Sequence, residues 1–504
     1  MLLINPPVTK PCEPPAGIAR LAGALRNCGI PCRTWDASLE GLLWLLEQPS
    51  LADDTWSRRA SRHREAHLNA LRDRRTYTSP DRYTRAVRDL NRLLAIQAKS
   101  ADAEVTLGDF LQEGFSPVRS SDLLAAAAAP QRNPFFPFFS RRLPELLADG
   151  TDTVGFSLTY LNQAVSTFAM MGYLRRHHPG VRIVLGGGLV TSWCQRPAWR
   201  NPFAGLVDDL VSGPGEPFLL ARHGFVPDTP PAALPDYAGF PLDRYLSPGP
   251  ILPYSSAGGC YWRRCSFCPE TAEGNRYEPL PVPTAMAELQ TLAKRHHPAL
   301  LHLLDNALSP ALLRALAAEP PGVPWYGFVR FTPELADPDC CRALRAAGCV
   351  MLKLGLESGD QTVLDELGKG IDLSLAATVL ENLRRAGIAS YVYLLFGTPA
   401  ENERAARRTL HFVRHHHEAI TFLNLALFNM PRESSDAASY GTGNAAADDL
   451  SLYTPFHHPA GWDRRLVRRF VNTEFSRDLL VAAILRRDPP LFTSNHAPFF
   501  STAP

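Results

Sequence analysis

Apolar and polar positions alternate along this chain in blocks that read as strand and helix in turn. Leu2–Ile4 is a short apolar run stopped by Pro6 and Pro7, and Ile18, Leu21, Ala22 and Leu25 then recur at helical spacing. Gly29 ends that helix, and Ile30 to Trp35 predicts a second strand. The alternation returns at Thr153–Thr159, followed by a helix from Gln163 to His178, the run Val181–Gly188, and Leu206–Val211 leading into Gly213-Pro-Gly-Glu216. Apolar strands separated by helices, with glycines at their carboxyl ends, predict an α/β fold with a Rossmann-like open parallel sheet.

Between these blocks the pattern changes. Residues 45–130 form an insert whose Trp56–Arg92 stretch is dense in Arg, His and Glu with sparse Leu, which predicts exposed helices rather than a core. Ala125–Ala129, Pro130 and the ring-rich stretch 133–139 predict a linker whose rings pack on a neighbour. Pro227 to Pro250 reads as an interdomain linker. A second alternation begins at Ile251, with strands expected at Leu252–Ser255, Leu300–Leu304, Trp325–Phe328, Val350–Leu354, Ser390–Phe396 and Ala419–Leu425. Helices are expected near 283–295, 310–318, 338–347, 375–386 and 402–414. Six βα units predict a partial (β/α)6 barrel with chemistry at the carboxyl ends of its strands. The resulting division is 1–226, a linker over 227–250, a barrel over 251–432, and a small extension over 433–504 with one helix from Arg464 to Arg486.

Composition narrows the function. At 504 residues two or three domains are expected, and 45% hydrophobic residues argue against wholesale disorder. Lys+Arg 52 against Asp+Glu 50 leaves no field for nucleic acid or an anionic membrane. The opening apolar run lacks a basic segment and stops at prolines, so it reads as a strand rather than a signal peptide. No run is long enough for a transmembrane helix, and Cys12, Cys28, Cys32, Cys194, Cys340, Cys341 and Cys349 form no disulfide framework. A reducing cytoplasm is expected.

Three cysteines stand apart from the rest. Cys260, Cys265 and Cys268 lie within one run of nine residues. A closed structural zinc site takes four ligands, and no further Cys or His follows until His296 and His297. A four-iron cluster held by three thiolates instead keeps one iron open to a substrate or cofactor. The histidine groups at 177–178, 296–297 and 415–417 fall at expected helix ends, where the dipole favours them, and none brings a second ligand cluster.

With these cysteines on the loop after its first strand, the barrel half resembles the radical S-adenosylmethionine (SAM) superfamily. The resemblance implies a [4Fe–4S] cluster on Cys260, Cys265 and Cys268, whose open iron chelates SAM and whose reduction yields a 5′-deoxyadenosyl radical. Phe267 stands where the family carries an aromatic residue, while four residues rather than the common three separate the first two cysteines. Gly355-Leu-Glu-Ser-Gly359 resembles the family's SAM-binding segment, which makes Glu357 and Ser358 candidates; Ser358 or Asp360 could equally cap the following helix. Arg330 could pair with the SAM carboxylate or be an ordinary surface arginine. Asp305 and Asn306 stand where relatives face the SAM amine, or they form a turn. Gly397-Thr-Pro-Ala-Glu401 resembles the family's adenine-side turn, with Gly397 allowing close approach and Glu401 alternatively starting a helix.

The amino-terminal half resembles the cobalamin-binding domain that precedes many such barrels. That resemblance rests on Leu3–Pro7, Gly155–Thr159, Gly186–Gly188 and Gly213-Pro-Gly-Glu216. It implies that Ser157 and Thr159 offer hydroxyls to the cobalamin tail, that Gly186 and Gly187 leave room for it, and that Gly213 and Glu216 line the same edge. The cobalt-binding histidine motif is missing: Asp36–Gly41 has Ser38 where the histidine would stand. Together the resemblances imply a cobalamin-dependent radical SAM methyltransferase acting on an unactivated carbon of a small molecule or peptide, with flavodoxin or ferredoxin as electron donor. Cyclisation or rearrangement without methyl transfer, and a non-catalytic iron–sulfur or cobalamin sensor, are the alternatives.

Overall fold

The computed structural model describes residues 1–49, 54–225, 233–442, 448–490 and 496–501. The chain divides into two compact units at Pro250 and Ile251, and Asp448–Ser451 belongs with the first.

The first unit is built on a five-stranded parallel sheet. Its strands are β1 (Leu2–Asn5), β2 (Arg33–Asp36), β3 (Thr153–Ser157), β4 (Arg182–Gly186) and β5 (Asp209–Leu210), in the order β2-β1-β3-β4-β5. All four residues of β1 are buried, as expected for a central parallel strand covered on both faces. Helices Ala16–Asn27 and Leu161–His177 turn Ile18, Ala22 and Leu25, and Val165, Phe168 and Leu174, into the core.

Three expectations for this unit need correction. The insert has a core of its own: helix Pro80–Ala98 buries Tyr83, Ala86, Val87, Leu90, Leu93 and Leu94 and packs on Thr55–Arg72. Its buried Asp89 accepts from Trp56 Nε1 at 2.7 Å and meets His67 Nε2 at 3.0 Å. Arginines on the outer faces had diluted that apolar stripe in the sequence. The ring-rich stretch 133–139 is not a linker but runs into helix Phe136–Leu147, whose first turn tolerates Pro137 and whose Phe138 lies 5.7 Å from Trp35. In the supposed linker, residues 226–232 lie outside the described residues, and the remainder is packed down. Tyr237, Phe240, Tyr245 and Leu246 are buried, Asp236 N donates to Ala19 O at 2.8 Å, and Asp236 pairs with Arg26 at 2.8 Å.

The second unit is a six-stranded parallel sheet in sequence order, the partial barrel anticipated. Its strands are β6 (Ile251–Tyr254), β7 (Leu300–Leu303), β8 (Trp325–Val329), β9 (Cys349–Glu357), β10 (Ala389–Phe396) and β11 (Phe422–Leu427). Helices Val282–His296, Pro310–Ala318, Pro338–Ala346, Leu373–Ala386 and Glu403–His415 separate them. The expected helix from Arg464 to Arg486 is broken. Arg464–Phe470 passes into a π turn at Val471–Phe475, and Asp478 caps a new helix, Leu479–Leu485, by accepting from Leu480 N and Val481 N. Among the described residues no helix is long and apolar enough to cross a membrane.

Candidate functional site

The three cysteines follow β6 at the carboxyl end of the barrel strands. All are free thiols; Cys265 is buried and the other two are half-buried. Burial pushes the Cys268 thiol up to about 11. It also raises Cys265, against which the neighbouring Lys369 and Arg330 act. Among the described residues no three His, Cys, Asp or Glu side chains converge on a single ion. A four-iron cluster makes a different demand, because each thiolate takes its own iron and the sulfurs stand apart. Three free thiols on one loop, one of them with two cations acting on it, fit such a cluster.

The loop is held by the turn Gly368-Lys369-Gly370. Ser266 N donates to Leu367 O at 3.0 Å, and Trp262 Nε1 donates to Gly368 O at 2.9 Å. A Cβ on Gly370 would lie 2.0 Å from the Trp262 ring, so only glycine fits there. The Arg330 guanidinium sits 4.2 Å from the Trp262 ring centroid and donates to Lys369 O. Within the four-residue spacing between Cys260 and Cys265, Arg263 adopts a left-handed conformation at φ 50°. Phe267 packs against Val363, Leu367 and Ala405, with Lys369 Nζ 5.5 Å from its ring.

The remaining barrel candidates separate by what they already bond. Arg330 is buried rather than an ordinary surface arginine. Glu357 ends β9 at φ 66° and pairs with Lys369 Nζ at 2.7 Å. Ser358 is fully buried, bonded to Thr409 Oγ1 at 3.2 Å, and accepts from Asp360 N, while Asp360 caps the next helix through Val363 N. That hydroxyl is engaged in the turn. Asp305 is likewise engaged, accepting from Ser256 N at 3.1 Å and from the Ser256 hydroxyl, and Asn306 donates to Gly259 O at 3.2 Å. Gly397 N donates to Glu401 Oε2 at 2.6 Å, and Trp462 Nε1 donates to the same oxygen at 3.0 Å. Glu401 does not start the next helix, which Asn402 caps; it is a buried carboxyl pushed up to about 7 by desolvation. Sequence reading passed over Lys369 and Trp262. The paired glycines around Lys369 and an indole inside the cysteine loop were the available signals.

In the first unit, Ser157, Thr159, Gly186, Gly187, Gly213 and Glu216 all lie at or just beyond the carboxyl ends of β3, β4 and β5. Ser157 makes no side-chain hydrogen bond among the described residues, and beside Gly213 there is open space. Those two features suit a tail entering at the sheet edge. Thr159 N donates to Gln163 Oε1 at 3.0 Å. Gly187 answers another need: its φ is 112°, and a Cβ there would lie 2.4 Å from Leu158 O. The missing side chain accommodates the protein's own loop. Glu216 pairs with Arg20 at 2.5 Å. Ser38 accepts from Thr9 N at 2.7 Å and donates to Thr9 O at 3.2 Å, which ties down the loop after β1.

Residues 254–413 match the Radical SAM superfamily, so the second unit carries a radical SAM domain. The chain is 24% identical over 236 residues to an uncharacterized methyltransferase from Pyrococcus horikoshii, covering 42% of this chain and 50% of that relative. It thus spans half the length of that protein. Among solved structures, the radical SAM methyltransferase TsrM from Kitasatospora setae shares the fold. With cobalamin and a [4Fe–4S] cluster bound, it matches at TM-score 0.53 and 17% identity over 92% of this chain and 84% of that one. With its tryptophan substrate and a SAM analogue bound, it matches at TM-score 0.50 and 17% identity over 85% and 73%.

Proposed function

We propose that this chain is a cobalamin-dependent radical SAM enzyme that transfers a methyl group to an unactivated carbon of a small molecule or peptide. The observation that carries the reading is the loop of three free thiols at the carboxyl end of the β6–β11 sheet, braced by the Trp262–Arg330–Lys369 group. Bound together, the cluster and SAM supply a carbon radical, and cobalamin supplies a methyl carrier. Cys260, Cys265 and Cys268 would hold the cluster. Arg330, buried beside that loop with a fixed guanidinium, would orient a carboxylate by a bidentate contact. Glu357 would offer its carboxylate to an amine or hydroxyl from the end of β9. In the first unit, the Ser157 hydroxyl, which makes no side-chain hydrogen bond among the described residues, and the open edge beside Gly213 would receive the cobalamin tail. Flavodoxin or ferredoxin would deliver the electron.

Anaerobic protein, reconstituted with iron, sulfide and cobalamin and given SAM with a low-potential reductant, tests the reading without knowledge of the substrate. It should form S-adenosylhomocysteine only when cobalamin is present, together with 5′-deoxyadenosine. Formation of 5′-deoxyadenosine alone would favour rearrangement without methyl transfer, and neither product would leave a non-catalytic binder.

A further inference from the structure

We propose that Lys369 is a positioning cation for the three-cysteine loop, holding an ammonium where it raises the reduction potential of the cluster; this rests on the cluster reading above. Lys369 is 7% exposed, although lysine is almost never buried without a partner. The turn that carries it is pressed onto the loop at several points. Beyond the two hydrogen bonds from Ser266 and Trp262, a Cβ on Gly368 would lie 2.5 Å from Arg264 O and one on Gly370 would lie 2.0 Å from Trp262. Both glycines have φ 62°, so the sequence Gly-Lys-Gly sets the lysine's direction as well as its depth. Arg330, stacked on Trp262 of the same loop, also holds the turn by donating to Lys369 O.

The side chain therefore has little freedom. Its Nζ bonds Glu357 Oε1 at 2.7 Å and lies 5.5 Å from the centre of the Phe267 ring, between Cys265 and Cys268 in the chain. The ammonium bears on Cys265 more strongly than the Glu357 carboxylate does. Reduction adds one electron to the cluster and makes or breaks no bond. That electron comes from a low-potential one-electron donor. An added negative charge is favoured by a fixed cation in a water-poor site, and net charge around a cluster is one of the terms that set its potential. Glu357, as the counter-charge, moderates the effect.

The test uses the full chain, anaerobically reconstituted, with iron and sulfide counted and the cluster followed by electron paramagnetic resonance during a redox titration. Lys369→Met should keep its iron and make reduction about tenfold less favourable, a midpoint lower by about 59 mV for one electron. Lys369→Arg should restore most of the shift, and Glu357→Gln should move the midpoint the other way. An unchanged midpoint in Lys369→Met with full iron would overturn the proposal. Should Lys369→Met fail to hold iron, Glu357→Gln still decides, because a lowered or unmoved midpoint there overturns it too. Wild-type protein that takes up no [4Fe–4S] cluster would defeat the cluster reading rather than this one.

Discussion

Replacing Gly187 with alanine asks whether that glycine makes room for a ligand or for the protein itself. The residue caps the amino end of helix Gly188–Cys194 at φ 112° and ψ 172°, a region essentially reserved for glycine, where a side chain costs about 1–3 kcal/mol. A Cβ there would also stand 2.4, 2.7 and 2.8 Å from the O, C and N of Leu158, closer than real Cβ atoms come to backbone. Leu158 cannot simply withdraw, since its N donates to Gly186 O at 2.7 Å and its O accepts from Leu189 N at 3.2 Å. Overpacking of this kind adds about 1–3 kcal/mol, giving about 4 kcal/mol in all. For a unit of this size that lowers the melting temperature by roughly 10 °C. Gly213→Ala is the control: φ is 78° but nothing lies within 4 Å of a Cβ, so only the left-handed cost of about 1–2 kcal/mol remains. Calorimetry of the cobalamin-free variants, followed by cobalamin retention through gel filtration, separates the two roles. A Gly187→Ala protein that melts with the wild type yet loses cobalamin would refute the steric argument and restore the glycine to the ligand channel.

Other outcomes follow from the remaining groups. Alanine at Cys260, Cys265 or Cys268 should abolish cluster binding, measured as iron and sulfide content, whereas Cys340→Ala, on helix Pro338–Ala346, should keep it. The Glu401 carboxyl is raised in the folded state from 4.5 to about 7, so its contribution to stability is fully present below pH 4.5 and is lost as pH rises through 7. That loss is about 3 kcal/mol, and denaturant midpoints measured across this range should flatten in Glu401→Gln. Cobalt in the Co(II) state should show no histidine nitrogen coupling by electron paramagnetic resonance. Ser38 is engaged by Thr9, and none of the described first-unit histidines lies on a loop directly after a strand of the sheet. Coupling that disappears on substituting one histidine would contradict this.

Local pattern was enough to read both sheets. Leu2–Ile4, Val181–Gly186, Leu300–Leu303 and Trp325–Phe328 are apolar runs bounded by breakers, and a parallel strand covered on both faces leaves that mark in any sequence. The cysteine loop was equally visible, because its ligands lie within nine residues of one another. Partnership was not visible. Ser358 and Asp305 look available in the sequence, but Thr409 and Ser256 take their polar atoms, and these pairs lie far apart in the chain. Glu401 looked like a helix start until Gly397 and Trp462 closed around it. Gly187 looked like space for a ligand until Leu158 occupied it. Lys369 carried no recognised spacing at all, and only the folded chain brings Glu357, Phe267 and the cysteine loop to it. Periodicity records which face of an element is buried; a polar atom's partner depends on which distant segment arrives beside it, and packing alone decides that.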